Sequence, residues 1–149
     1  MDYQGKKVAV VGLGISNRAL ISFLSEKGAQ ITACDQKDPS EIADLQELQK
    51  MPIALQLGDG YLRNLASFEE VFLTPGMRKD LPEIEEAAKA GVRLSTEVGL
   101  FMEGCPALMV GVTGSSGKTT TTTLLGQMMA TSRRETFVGG NIGVPLIGE

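Results

Sequence analysis

Residues 8–17 read VAVVGLGISN. Four apolar residues, Val8 to Val11, run directly into Gly12 and Gly14. An unbroken apolar run suits a parallel strand covered on both faces, and two glycines one residue apart permit a tight turn into a helix. The dinucleotide-binding pattern G-x-G-x-x-G wants a third glycine at position 17, where Asn17 stands. A side chain there is expected to hold the helix slightly away from the sheet, which weakens the dinucleotide reading while leaving the backbone plan intact.

Outward from this stretch, apolar runs alternate with helical patterns in the rhythm of βαβ units. A helix from about Ser16 carries Leu20, Phe23 and Leu24 on one face and ends at Gly28. Ile31 to Cys34 is the second predicted strand. Ile42, Leu45 and Leu48 mark an amphipathic helix that stops before Pro52. Ile53 to Leu57, Glu70 to Leu73 and Val92 to Leu94 are three further strands, with a helix over Leu81 to Ala90. Five strands with crossovers predict an α/β domain over residues 1–95, a Rossmann-like doubly wound parallel sheet. Glu97 to Glu103 reads as a short helix within a linker over 96–106.

At Ala107 the pattern restarts. ALMVGVTGSSGKTTTTTLLGQMMA predicts a strand, a glycine loop and a helix, and ETFVGGN a following strand. Within TGSSGKTT, backbone N–H groups from Gly114, Ser115, Ser116, Gly117 and Thr120 are placed to wrap a polyphosphate at a helix N-terminus. Lys118 adds a positive charge at the β and γ phosphates, and Thr119 can place its hydroxyl on Mg²⁺. The strict pattern would put its first glycine at Val112, so this is a variant phosphate loop. Residues 107–149 are too few to bury a complete α/β core and read as the truncated start of a P-loop ATP-binding domain. Its unpaired sheet edges are expected to leave it more mobile than the first domain, or ordered only where another copy of the chain completes the sheet.

The chain has 149 residues, 42% of them hydrophobic, with 18 Gly and 6 Pro, the composition of a globular protein. Fourteen basic against 18 acidic residues give a net charge of -4, which offers no general attraction for nucleic acid or an anionic membrane. No apolar run approaches the roughly 20 residues of a membrane span, and the start lacks a signal-peptide core. A cytoplasmic location is expected, with Cys34 and Cys105 reduced. The chain contains no histidine, which excludes His-based acid/base chemistry and Cys/His zinc sites within it.

In a parallel sheet the carboxyl ends of the strands gather at one rim, so Gly12 to Ser16, Asp35 and Thr74 to Gly76 converge there. Asp35 follows Gly12 by 23 residues, where a dinucleotide fold places its ribose-binding acid. On the residues alone it can equally be a loop carboxylate before a turn. Thr74-Pro75-Gly76 and the VGGNIG stretch, Val138 to Gly143, likewise read as plain turns when taken singly.

Together and in this order, the pieces DYQGKKVAVVGLGIS, LTPGM, STEVGLF, GVTGSSGKTTTT and VGGNIGVPL resemble the N-terminal part of the Mur ligases, the D-glutamate-adding branch most of all. The resemblance covers nearly the whole chain. It implies a first domain that looks like a dinucleotide fold but binds the UDP end of a UDP-sugar. On that basis Gly14, the Ile15 backbone and the Ser16 hydroxyl would meet the diphosphate, Asp35 and Gln36 the uracil, and Thr74, Pro75 and Gly76 the nucleotide. Asn141 would meet the sugar-phosphate region. Gln36 stands where threonine is common, and Lys37 where arginine is common; a lysine offers no planar fork to phosphate.

The implied reaction uses ATP and Mg²⁺, with Lys118 as the catalytic cation. The L-alanine carboxylate of UDP-N-acetylmuramoyl-L-alanine is phosphorylated to an acyl phosphate, from which the D-glutamate amine displaces phosphate, a step of peptidoglycan synthesis. The rest of the family's catalytic machinery lies beyond Glu149, so this chain is expected to bind and not to catalyse; the parent is expected to be monomeric. Two alternatives stay open: a Mur-type ligase for another amino acid, and a non-catalytic NAD-sensing module using Gly12, Gly14 and Asp35.

Overall fold

The structure, a computed structural model, describes residues 1–132, 135–140 and 145–147. The elements in chain order are β1 (Lys7–Val11), α1 (Ile15–Glu26), β2 (Gln30–Asp35), α2 (Leu45–Gln49), β3 (Ala54–Leu57), β4 (Glu70–Leu73), α3 (Pro82–Lys89), β5 (Arg93–Ser95), α4 (Glu97–Gly104) and α5 (Lys118–Thr131). All five strands pair in parallel, in the order β3-β2-β1-β4-β5. β1 is the central strand, with Val8 opposite Ile31 of β2 and Glu70 of β4. The chain runs outward from β1 in one direction through β2 and β3, then returns to place β4 on the other side of β1. The gap between β1 and β4 is therefore the point where strand order reverses, the crevice in which open α/β sheets bind ligands.

The pleat of β1 explains how both faces are covered. Val8 and Val10 enter one core with Leu20, Ile21 and Leu24 of α1, Phe72 of β4 and Leu100 of α4. Ala9 and Val11 enter the opposite core with Cys34, Val71, Leu73 and the α3 residues Ile84 and Ala87. Each fully buried aliphatic side chain contributes roughly 1.5–3 kcal/mol, which is why the predicted run of four apolar residues became the middle of the sheet.

The helical face of α1 is Leu20, Ile21 and Leu24, all fully buried; Phe23 is only partly covered. Asn17 is buried at 3% exposure alongside them. Its side chain is accommodated within the seam while α1 keeps a fully buried face on the sheet. α2 is shorter than its periodicity predicted, because Asp44 takes a left-handed conformation with φ of +53° between Ile42 and Leu45 and breaks the helical run there. Ahead of it the chain makes a 3-10 turn at Pro39–Glu41, capped reciprocally by Asp38 and Glu41. Ile42 reaches the core from the loop instead of from the helix.

The strands predicted after Ala107 do not form. Leu108 to Val112 have no strand assignment and make no ladder with any described strand, and Leu108 is 87% exposed. The run has the composition of a buried parallel strand, but among the described residues no neighbouring strand offers it hydrogen bonds. Residues 135–140 contain only a bridge at Gly140. The helix after the glycine loop does form, as α5, in spite of the run of threonines from Thr119 to Thr123.

Candidate functional site

The rim at the β1–β4 reversal is built from loops that hydrogen bonds tie to one another. Gly14 precedes α1 in an extended conformation with no side-chain cap, which leaves the first-turn N–H groups of α1 directed at the rim. Ile15, the first helical residue, is 70% exposed there. A helix N-terminus with unclaimed N–H groups favours an anion.

Asn17 connects this turn to the end of β4. Its amide nitrogen donates to the carbonyls of Val11 at 2.9 Å and Gly12 at 2.8 Å, and lies 3.2 Å from the Thr74 hydroxyl. The Thr74 hydroxyl in turn donates to the Val11 carbonyl at 2.8 Å. Gly12 has a φ of +90°, and a Cβ there would lie 2.1 Å from Thr74 Oγ1. Only glycine fits at 12, because position 12 is where the two loops touch. The third glycine of the dinucleotide pattern is thus replaced by a side chain that does structural work between loops.

Asp35 is turned inward. One carboxylate oxygen accepts from the Leu13 N–H at 2.7 Å and the other from the Lys37 N–H at 3.0 Å. Arg18 secures the same turn from the other side: its Nε donates to the Leu13 carbonyl at 3.0 Å, and its guanidinium also donates to the Ala43 carbonyl. Gln36 and Lys37 are exposed at the loop tip, as are Pro75 and Gly76, while Thr74 is half-buried.

A fourth loop, 58–63, completes the rim. The Gly58 N–H donates to the carbonyls of Asp35 at 2.9 Å and Lys37 at 3.0 Å, and Gln56 Nε2 gathers the carbonyls of Gly60, Tyr61 and Arg63. Burial, reinforced by the charges of Asp35 and Glu83, raises the Tyr61 hydroxyl pKa. Beneath the rim, burial first and the Asp35 charge second push the Cys34 thiol up to about 12. Cys34 is therefore a core residue, and no nucleophile at neutral pH.

The structure thus brings Gly14, Ile15, Ser16, Asp35, Gln36, Lys37, Thr74, Pro75 and Gly76 to one rim. Asn141 lies outside the described residues. The phosphate loop is separate from this cluster in the chain and precedes α5: Gly114 and Gly117 have φ of +151° and +76°, and Lys118 Nζ donates across the loop to the Gly114 carbonyl. Ser115, Ser116, Thr119 and Thr120 are exposed around it. Sequence reasoning missed Arg18, Gln56 and the 58–63 loop, since a lone arginine or glutamine carries no spacing signal. It also assigned no role to Glu97, although the residue lies in the quoted STEVGLF stretch.

An all-parallel sheet in this order, with a glycine turn and a bare helix N-terminus at its switch point, defines a Rossmann-like α/β domain. A family model described as "Mur ligase MurD-like, N-terminal domain" matches residues 6–96, and the chain belongs to that family. It is 50% identical over 143 residues to the UDP-N-acetylmuramoylalanine--D-glutamate ligase of Symbiobacterium thermophilum, covering 95% of this chain and 31% of that protein. It is 47% identical over 147 residues to the ligase of the same name from Acetivibrio thermocellus, covering 98% of this chain and 32% of that protein. The chain therefore spans about a third of the length of these curated relatives. Among solved structures it resembles a murein peptide ligase from Psychrobacter arcticus with a TM-score of 0.56 at 20% identity, covering 87% of this chain and 27% of the other, a likeness of fold. Among the described residues no helix is long and apolar enough to cross a membrane.

Proposed function

We propose that the chain is the UDP-binding part, with the beginning of the ATP-binding part, of an ATP-dependent ligase that joins D-glutamate to UDP-N-acetylmuramoyl-L-alanine. The observation that carries this reading is the convergence of the α1 N-terminus, Asp35 to Lys37 and Thr74 to Gly76 at the strand-order reversal. The diphosphate would lie on the N–H groups of Ile15 and Ser16 with the Ser16 hydroxyl beside it. The uracil would meet the 35–37 loop, where Asp35 holds the backbone of Lys37 in place. Asn141 is retained as a candidate for the sugar-phosphate region on the strength of the sequence resemblance alone.

A dinucleotide would need the carboxylate of Asp35 for its ribose. Both oxygens of Asp35 already brace neighbouring backbone N–H groups, and Asn17 fills the seam that a third glycine would leave open. Those two features favour UDP over NAD.

The residues of the phosphate loop fit ATP with Mg²⁺. Two glycines at positive φ open the loop, Lys118 already spans it, and Thr119 begins the following helix with its side chain exposed. Magnesium is commonly held by substrate phosphates together with one or two protein oxygens, so the absence of a cluster of three or more acidic or thiol ligands among the described residues is compatible with it. Bound ATP would supply the phosphoryl group that activates the carboxylate. Lys118 would neutralise its charge and Thr119 would orient the metal. The cytoplasm, where nucleotide-activated sugars and ATP are both present, is the proposed location.

Parallel calorimetric titrations with UDP-N-acetylmuramoyl-L-alanine, UDP and NADH test the reading. Heat of binding is expected from the first two and none from NADH. Tight NADH binding without UDP binding would replace the ligase reading with a dinucleotide module.

A further inference from the structure

Glu97 is a carboxylate at 2% exposure, placed in the first turn of α4 just past the carboxyl end of β5 and so on the rim side of the sheet. Its Oε1 accepts two backbone N–H groups from the far end of the chain, Leu146 at 3.0 Å and Ile147 at 2.9 Å. Hydrogen bonds to an ionised acceptor are about twice as strong as neutral ones, and two on one oxygen fix direction as well as distance. The α4 N-terminus, capped by the Thr96 hydroxyl, adds a favourable field for the charge.

The captured segment is joined to both halves of the molecule. Ile147 is buried at 6% exposure in the same core as Leu13 and Leu100. Leu13 is the residue whose backbone is held by Asp35 and Arg18 in the glycine turn of the rim. Nine residues earlier the chain lies against α5, where a Cβ on Gly126 would meet Val138 Cγ2 at 2.4 Å; a Cβ on the next residue, Gly139, would meet Leu146 Cδ2 at 2.9 Å. Val138 is thus held against the helix of the phosphate loop, and Leu146 and Ile147 are held to the rim domain.

We propose that Glu97 is a positioning residue, a latch whose carboxylate sets where the phosphate-loop unit stands relative to the nucleotide rim. The inference rests on the UDP-sugar reading of the rim and deepens it. The rim alone grips the UDP end. The part of the substrate beyond the diphosphate must be presented toward the phosphate loop, and Glu97 holds at Leu146 and Ile147 the chain that leads from Val138, packed on the helix of that loop. Loss of the latch therefore weakens recognition of the extended substrate while sparing UDP.

Glu97→Ala and Glu97→Gln in the 149-residue chain test this, by amide exchange at Leu146 and Ile147 together with affinities for UDP and for UDP-N-acetylmuramoyl-L-alanine. Protection of Val8 to Val11 confirms that each variant is folded, and the glutamine variant, which keeps an acceptor oxygen, carries the test if alanine unfolds the chain. In Glu97→Ala both amides are expected to exchange about tenfold faster or more, with the UDP-sugar Kd rising about tenfold and the UDP Kd unchanged. Glu97→Gln should fall between wild type and alanine. Equal losses for both ligands, or freed amides with unchanged UDP-sugar affinity, overturn the latch. If the unsubstituted chain binds neither ligand, the rim reading itself fails and the inference falls with it; binding of both by wild type and variants alike defeats the latch alone.

Discussion

Asn17 shows how one residue converts a familiar backbone to a different use. Its two N–H groups serve three acceptors on two loops, while its own Oδ1 is buried without a partner. That uncompensated oxygen costs free energy. Asn17→Ala removes the orphan together with the ties, leaving the Val11 carbonyl to Thr74 and the Gly12 carbonyl without its side-chain donor. We expect a net loss of about 1–3 kcal/mol in urea unfolding, with weaker UDP binding because the α1 N-terminus is no longer held to the β4 loop. A variant as stable as wild type would show that the seam is held by apolar packing alone. The two cysteines offer a second contrast. Both are free, Cys34 buried and Cys105 half-buried. The thiolate is the reactive form, and a pKa raised to about 12 leaves Cys34 protonated throughout the neutral and mildly alkaline range. Iodoacetamide at pH 8 should label Cys105 alone, with Cys34 reacting only as the pH climbs toward 12 or after unfolding. Rapid labelling of Cys34 at pH 8 in folded protein would contradict its assigned burial.

At the scale of elements, what was legible followed from local chemistry. The five strands of the first unit were visible because each is a short apolar run between turn residues, and α1 and α3 because their apolar positions recur at helical spacing. The rim residues were legible as strand ends, since a parallel sheet must bring them to one side. Elements that depend on distant partners were misread. Leu108 to Val112 has the same composition as β1, yet a strand exists only when another strand pairs with it, and composition does not say whether one is present. α2 was drawn too long because Ile42 sits at helical spacing from Leu45, while the left-handed backbone of Asp44 lets the helix begin only at Leu45. The inward turn of Asp35 and the reach of Glu97 to Leu146 and Ile147 were invisible for the same reason: both are contacts across more than 20 residues. No single-residue pattern encodes them.

The whole molecule contains two kinds of apolar surface, and their contrast is measurable. Val8 to Val11 are fully buried, each peptide group of the strand flanked by β2 and β4. Leu108, Val110, Leu124 and Met128 are 87%, 64%, 55% and 68% exposed, at the phosphate loop and on α5. These side chains find no apolar cover comparable to that of β1. Amide protection follows the free energy of the opening that exposes each hydrogen bond, so a central strand exchanges only through near-global unfolding, whereas an unpaired segment exchanges at close to the random-coil rate. Hydrogen exchange on the dilute chain should therefore show Leu108 to Val112 largely unprotected and Val8 to Val11 protected by at least about a thousandfold more, given a typical domain stability of several kcal/mol. If protection of 108–112 appears only as the concentration is raised, a second copy is completing the missing ladder, as an unpaired apolar run invites. If instead the two segments are equally protected in a sample shown by sedimentation to be monomeric, the chain closes a core around the phosphate loop by itself. The contrast drawn between the two apolar surfaces would then be wrong.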